Sequence, residues 1–402
     1  MGINGMMWTG ISGMNAQSNR LSIVADNVAN SSTVGYKRSD AEFSTLVVSS
    51  SRSSYQSGAV NTHIRYDILK EGVSYITMRP GDVRINGNGF FRVEDSNGTE
   101  YMTRSGSFDR DKDGFLQNAA GYYLLDDNGQ RIQVKDGEAG LVPPEITTNV
   151  DLGINLKAEE KIFTGQFDPK DPKTYHQKKS VETYDAQGSA VTLDMYFTKT
   201  GDNEWKMVVY RNGDPIADSA SEQVLKFDGN GDLITPKGKI KLNLPDSTGG
   251  SYPVTLNFGE DGERRVTQMG ADYAFVLDAD GMPPGYYSGF TFNKEGSVEV
   301  SYSNGKIISQ AVVGVATVQD PNQLTVLSGT VFQKNNASGV LITGRPGEGF
   351  FGELQSNVLE KSNADIGDDL TDMIEAQRDY TANSKVFQTA SELMDVIVNL
   401  KR

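Results

Sequence analysis

The run that most resembles an ion-binding loop is Asp109-Arg110-Asp111-Lys112-Asp113-Gly114, where carboxylates alternate and a glycine follows. This matches the first half of an EF-hand calcium loop, in which alternate oxygens face the ion and glycine makes the sharp turn. The last loop position should supply a bidentate glutamate, but Ala120 stands there, and the flanks Phe108 and Phe115-Leu116 have strand character. The run therefore reads as a solvated hairpin turn. Asp228, Asn230 and Asp232 alternate similarly, but Leu233 occupies the glycine position, so this too is a turn.

Other chemistries fare no better. The two histidines, His63 and His176, lack acidic or thiol neighbours at ligand spacing, which argues against a metal site or a catalytic triad. Gly344-Arg345-Pro346-Gly347-Glu348-Gly349 has neither the lysine–serine/threonine pair of a P-loop nor GxGxxG spacing. There is no cysteine, hence no thiol or disulfide chemistry. The 53 acidic residues guarantee chance pairs without nominating a glycosidase couple. The expectation is no catalytic residue, no cofactor and no metal.

The composition bounds the remaining classes. At 402 residues two to four domains are expected, and the 43 glycines point to many tight turns. A net charge of −15 disfavours nucleic acid as a partner. No window approaches the 18 to 20 apolar residues of a membrane span, so no membrane insertion is expected. The first thirty residues lack a basic stretch followed by an apolar one and do not read as a secretory signal.

Both ends of the chain have helical periodicity. Met7, Ile11, Met14, Leu21, Ala25 and Val28 recur at steps of three and four, with Ser18 in the gap. Ile366, Leu370, Met373, Gln377, Tyr380, Ser384 and Phe387 do the same, and Ala390, Met394 and Ile397 continue after a one-residue slip. Asp365 suits an N-cap, acids crowd the early turns, and Lys401 and Arg402 close the far end. Such a helix, about 50 Å long, needs another long helix to cover it. The candidates are the other end of this chain and neighbouring copies.

Between the ends the pattern is β. Asn-Gly and Asp-Gly pairs, among them Asn97-Gly98, Asp113-Gly114, Asn212-Gly213 and Asp261-Gly262, are signals for two-residue type I′ hairpins. Val191, Leu193, Met195 and Phe197, then Trp205, Met207 and Val209, then Tyr252, Val254, Leu256 and Phe258 alternate as half-buried strands. Residues 44 to 62 are serine-rich and read as an extended connector. The double prolines Pro143-Pro144 and Pro283-Pro284 bracket an insertion.

Three segments near the ends are recognisable: Ser12-Gly13-Met14-Asn15-Ala16, Ala25-Asp26-Asn27-Val28-Ala29-Asn30 and Thr33-Val34-Gly35-Tyr36-Lys37-Arg38. So are Val358-Leu359-Glu360-Lys361-Ser362-Asn363 and Met373 to Tyr380. Together they resemble the terminal signatures of the flagellar rod and hook protein family. Asp26, Ala364 and Gly367 depart from its commoner residues. Asn88-Gly89-Phe90-Phe91-Arg92-Val93 with Thr103 to Phe108 is similar to the family's shared β-domain. Thr183 to Gly188 with Asp202 to Trp205 resembles the outer domain of hook members.

The fold class expected is mainly β with α-helical termini. Two antiparallel β-domains are nested between N- and C-terminal helices that form a coiled-coil-like inner domain on assembly. The helical domain would take 1–30 and 363–402, the connector 31–71, the inner β-domain 72–146 and 285–362, and the inserted outer β-domain 147–284. The resemblance implies a homopolymer forming the hook, the universal joint between rod and filament. It also implies contacts with the distal rod, the hook cap, the hook–filament junction protein and the type III export apparatus. Subunits of this family leave the cell without a cleaved signal and reside in the extracellular hook. The assembly seam would comprise Met7, Ile11, Met14, Leu21 and Val28 with Ile366, Leu370, Met373, Gln377, Tyr380, Phe387, Met394 and Ile397. A distal rod protein, which generally lacks so large an insertion, and a secreted β-rich adhesin are the alternatives.

Overall fold

The computed structural model describes residues 3–46, 59–135, 141–246, 250–260 and 263–400. The serine-rich run from Ser49 to Ser57, the pair Asp261-Gly262, and Lys401 and Arg402 lie outside them. Helix α1 spans Ile3–Ala29 and helix α2 spans Ile366–Leu400. Asp365 caps α2 by accepting from the Gly367 N–H at 2.8 Å, and Asp368 and Asp369 sit in the first turn.

The chain divides into two compact units, 1–135 with 289–301 and 307–402, and 136–288 with 302–306. The first contains both helices. Between residues 31 and 71 it is no bare extended connector. Ser39–Leu46 (β1) pairs antiparallel with Ala59–Tyr66 (β2), and this ribbon packs along α1, where Ser12 Oγ donates to the Val60 carbonyl at 3.0 Å. The β part of this unit is built on Phe90–Glu94, which pairs with Glu100–Thr103 on one side and Val315–Val318 on the other. Phe90, Met102, Ala316 and Phe332 fill its core.

In the second unit two sheets close on one core. One runs Gln177–Tyr184, Ala190–Gly201, Glu204–Arg211, Glu222–Phe227, Leu233–Thr235, all antiparallel. The alternating runs read from the sequence all point inward. The other sheet departs from the antiparallel expectation. Asn149–Lys157 lies parallel to Ser251–Asn257 and Val266–Met269, and antiparallel to Ala274–Ala279. Parallel pairing needs long connections, and here intervening strands supply them. The two double prolines come side by side: Leu141 pairs with Tyr286 and Val142 with Gly285, and Glu145 bridges Met282 just beyond.

The turns also differ from expectation. Among the described pairs, only Asn212-Gly213 has both residues at positive φ, 50° and 87°, as type I′ demands. At several other turns an Asp or Asn three residues before the glycine organises the loop. At Asp111, Oδ1 accepts from the N–H groups of Asp113 at 2.9 Å and Phe115 at 2.7 Å, and only Gly114 is left-handed, at φ 88°. Asp95, Asn118, Asp185 and Asp228 repeat this arrangement. These are type I turns closed by a bulge, in which the side chain stands in for a backbone acceptor.

Candidate functional site

The Asp109–Gly114 run joins Phe108–Arg110 to Leu116–Asn118 as a hairpin. Its central carboxylate is committed to backbone donors and Asp109 is paired with Arg79. Among the described residues no three acidic or histidine side chains cluster to hold an ion. Asp111→Ala should cost about 1 kcal/mol for the lost turn bonds, and calcium or a chelator should leave the melting temperature where it was. A calcium-dependent shift that the variant abolishes would contradict the hairpin reading. His176 has a structural place. Its Nδ1 accepts from the Lys199 N–H at 3.2 Å and its Nε2 lies 2.8 Å from the Lys161 carbonyl, so the neutral ring bridges a loop to a strand.

The chemistry the sequence did not show is electrostatic and lies beneath the helices. Thr33-Val34-Gly35-Tyr36-Lys37-Arg38 leaves α1, Leu359-Glu360-Lys361-Ser362-Asn363 leads into α2, and Thr103-Arg104-Ser105-Gly106 belongs to the β part. These three segments converge. Lys37 Nζ sits 2.6 Å from Glu360 Oε1, a contact between residues 323 apart in the chain. Both side chains are 1% exposed. Arg104, equally enclosed, brings Nη1 to 3.4 Å from Glu360 Oε2, donates Nη2 to the Gly87 carbonyl at 2.9 Å and lies over the Phe90 ring. Glu360 Oε1 also accepts from the Gly72 N–H at 2.9 Å, and Lys37 Nζ donates to the Lys70 carbonyl at 2.7 Å. Two cations thus share one carboxylate. Burial pushes the Lys37 ammonium and the Arg104 guanidinium below their ordinary ranges, with Glu360 opposing the shift in each. Gly35, at φ 71°, lets this corner close, since a Cβ there would lie 2.5 Å from the Ser105 nitrogen.

Around the ion cluster, amides fix the geometry. Asn363 Oδ1 accepts from the Arg38 N–H at 2.6 Å, and its Nδ2 donates to the carbonyls of Asp67 and Lys70, both at 3.0 Å. Asn27, on α1, donates to the Ser39 carbonyl and accepts from the Ser39 N–H. Arg38 Nη2 reaches Asp369 at 3.2 Å and Asp372 at 2.9 Å on α2, and Arg20 joins Asp372 to Glu375. Asp369 is fully buried and its Oδ2 has no partner. Burial therefore raises its carboxyl above the ordinary range despite Arg38. The folded chain then holds this proton to higher pH than the unfolded chain does. The group contributes stability below the ordinary carboxylate pKa and loses it as pH rises through the folded value. Asp369→Asn, always neutral, should flatten that segment of the melting-temperature-versus-pH curve; an unchanged slope would show that another acid sets it.

The helices meet antiparallel on small and polar residues. Gly10 abuts Asn383 and Phe387, a Cβ on Gly13 would fall 2.6 Å from Asn383 Oδ1, and Ala16, Ala376 and Ala390 are buried. The expected apolar seam is therefore not one face. Met7, Ile11, Met14, Leu21, Val28, Met373, Phe387 and Met394 are half-buried within the single chain, whereas Ile366, Leu370, Gln377, Tyr380 and Ile397 are exposed. Close approach selects small side chains and turns the larger apolar ones of α2 outward. Asp372 lies on the inner face, where it pairs with Arg20 and Arg38.

A helical hairpin formed by the two chain ends, locked by buried charge under a β-domain and left with apolar flanks uncovered, defines an axial assembly subunit. Residues 7–37 match the Flagella basal body rod protein family and residues 355–400 the Flagellar basal body rod FlgEFG protein C-terminal family. Between them, residues 84–155 match the Flagellar hook protein FlgE/F/G D1 domain and residues 155–338 the Flagellar basal body protein FlaE D2 domain. Flagellar hook protein FlgE of Brucella suis is 42% identical over 413 residues, covering all of both chains. The Rhizobium meliloti protein of that name is 40% identical, again over both whole chains, and the Escherichia coli one 30% over 97% of this chain and 98% of its own. The chain belongs to the flagellar hook protein family. It is a structural subunit of the hook, which sets aside the rod-protein and adhesin readings.

Proposed function

We propose that this chain polymerises into the flexible joint carrying torque from rod to filament, with α1 and α2 as the cohesive inner layer. The observation that carries the reading is the outward apolar surface of α2. Ile366, Leu370 and Ile374 lie at successive i, i+4 steps and are each about half exposed or more. About half or more of each side chain is left uncovered by the described residues of this chain, and a helix so placed is completed by neighbouring copies. The seam residues on α1 and the half-buried ones on α2 hold the hairpin that presents this surface. The family resemblance supports a distal rod, hook cap, hook–filament junction protein and type III export apparatus as further partners, and export without a cleaved signal to the extracellular hook. In this reading the β units face outward and supply the looser contacts that let the tube bend. The purified chain, brought to assembly conditions and imaged by electron microscopy, should form tubes. Persistent monomers under every such condition would refute the reading.

A further inference from the structure

Trp8, on the outer side of α1, is 70% exposed, whereas the chain's other tryptophan, Trp205, is fully buried with Nε1 donating to Gln268 Oε1 at 2.9 Å. Exposed tryptophan is uncommon on a surface facing only water and frequent as an interface anchor. Trp8 flanks a groove of about 320 Å³ between α1 and β2, lined by Ile11, Ala16 and Val60 with Asn15, Asn19 and Asn61 and, among the described residues, by no charged side chain.

An uncharged convex partner is present on α2. Ala382, Val386, Thr389, Leu393, Val396 and Ile397 fall within about 100° of one another at 100° per residue, and no acid or base from 382 to 399 shares that arc. Val386, Leu393, Val396 and Ile397 are each roughly half exposed. This flank lies some 140° around the axis from the Leu370 surface, so a different neighbour must cover it. Gly10 faces Asn383, Arg20 faces Asp372 and Asn27 faces Asp369, an opposed register that brings Ile3 level with about residue 392. The last two turns of α2 therefore run past the described start of α1 and cannot enter their own chain's groove.

We propose that the groove beside Trp8 receives the uncharged flank of α2 from a second copy. The inference rests on the polymerisation reading and adds its geometry: groove and flank are different surfaces, so the contact is head-to-tail and propagates rather than closing as a dimer. Charge matching favours this occupant, since the Leu370 surface is bordered by Arg378 and its line along α2 continues through Lys385 and Glu392, which would bring ions to a groove whose described lining offers no partner for them.

The absence of native cysteine makes a cross-link test clean. Chains carrying Asn61→Cys and chains carrying Val396→Cys, copolymerised and oxidised, should yield a mixed disulfide dimer in tubes and none in monomer solution, because a disulfide needs Cβ atoms within about 4.5 Å. Tubes without the mixed dimer overturn the docking and leave polymerisation standing; a wild-type chain that never forms tubes removes both. Should either cysteine variant fail to assemble, the wild-type minus Trp8→Phe emission difference decides. A blue shift of Trp8 on assembly supports the contact, and unchanged emission overturns it.

Discussion

Glu360→Ala is expected to lower the melting transition of the helix-bearing unit by roughly ten degrees. The substitution strands Lys37 and Arg104 as buried cations without a counter-charge, a change worth about 3–5 kcal/mol, and a domain of this size loses about 2–4 °C per kcal/mol. The second unit, 136–288 with 302–306, should melt where it did, giving an internal reference in the same calorimetric scan. Glu42→Ala, which removes an ion pair whose members are both 56% exposed, should shift neither transition by more than about a degree. Lys37→Met combined with Glu360→Leu removes the pair together. It should recover part of the loss but not all, because Arg104 keeps its charge and loses its paired carboxylate, bonding then to the Gly87 and Ile85 carbonyls. A single Glu360→Ala variant melting within two degrees of wild type would show that the packed amides, not the ion cluster, hold the ends together. The expected size of the effect follows from burial: the same three charges at the surface would contribute little.

That cluster was invisible to sequence reading for a physical reason. Lys37, Arg104 and Glu360 each sit in a segment that the family resemblance singled out, yet periodicity and spacing report only neighbours a few residues away. Nothing local to Lys37 says that its partner is Glu360. The strands of the second unit were legible because burial there follows a period of two, and Leu193, Met195, Phe197 and Trp205 all landed in the core. The turn types were misread because Asn-Gly was taken at face value. The side chain that decides the turn at Asp111 lies two residues before the Asp113-Gly114 pair. The helices were legible as helices, but a stripe of apolar residues specifies a covered face without naming what covers it. Gly10, Gly13, Ala376 and Ala390 carried the signal for the intrachain joint, and small residues are easily passed over as filler between apolar ones.

The largest effect on function is expected from Ile374→Asp. Ile374 is 68% exposed in the single chain, so the melting temperature of the monomer should stay within a degree of wild type. In the polymer the same side chain would be covered by a neighbouring copy, and an unpaired carboxylate there costs several kcal/mol. Each 1.4 kcal/mol weakens subunit addition tenfold, so a penalty near 3 kcal/mol raises the concentration needed for assembly by more than a hundredfold, and tubes should vanish at ordinary concentrations. Leu370→Asp, one turn earlier on the same face, should behave alike, while Ile374→Val preserves the apolar surface and should polymerise. Met373→Asp is a different case. Its half-buried side chain belongs to the hairpin itself, so the monomer melt should fall together with assembly. Asp372→Asn should also disturb the monomer, since that carboxylate bonds Arg20 and Arg38. Normal tubes from Ile374→Asp would remove the outward face of α2 from the contact between copies. A collapsed monomer melt would mean that the face is already covered within the chain.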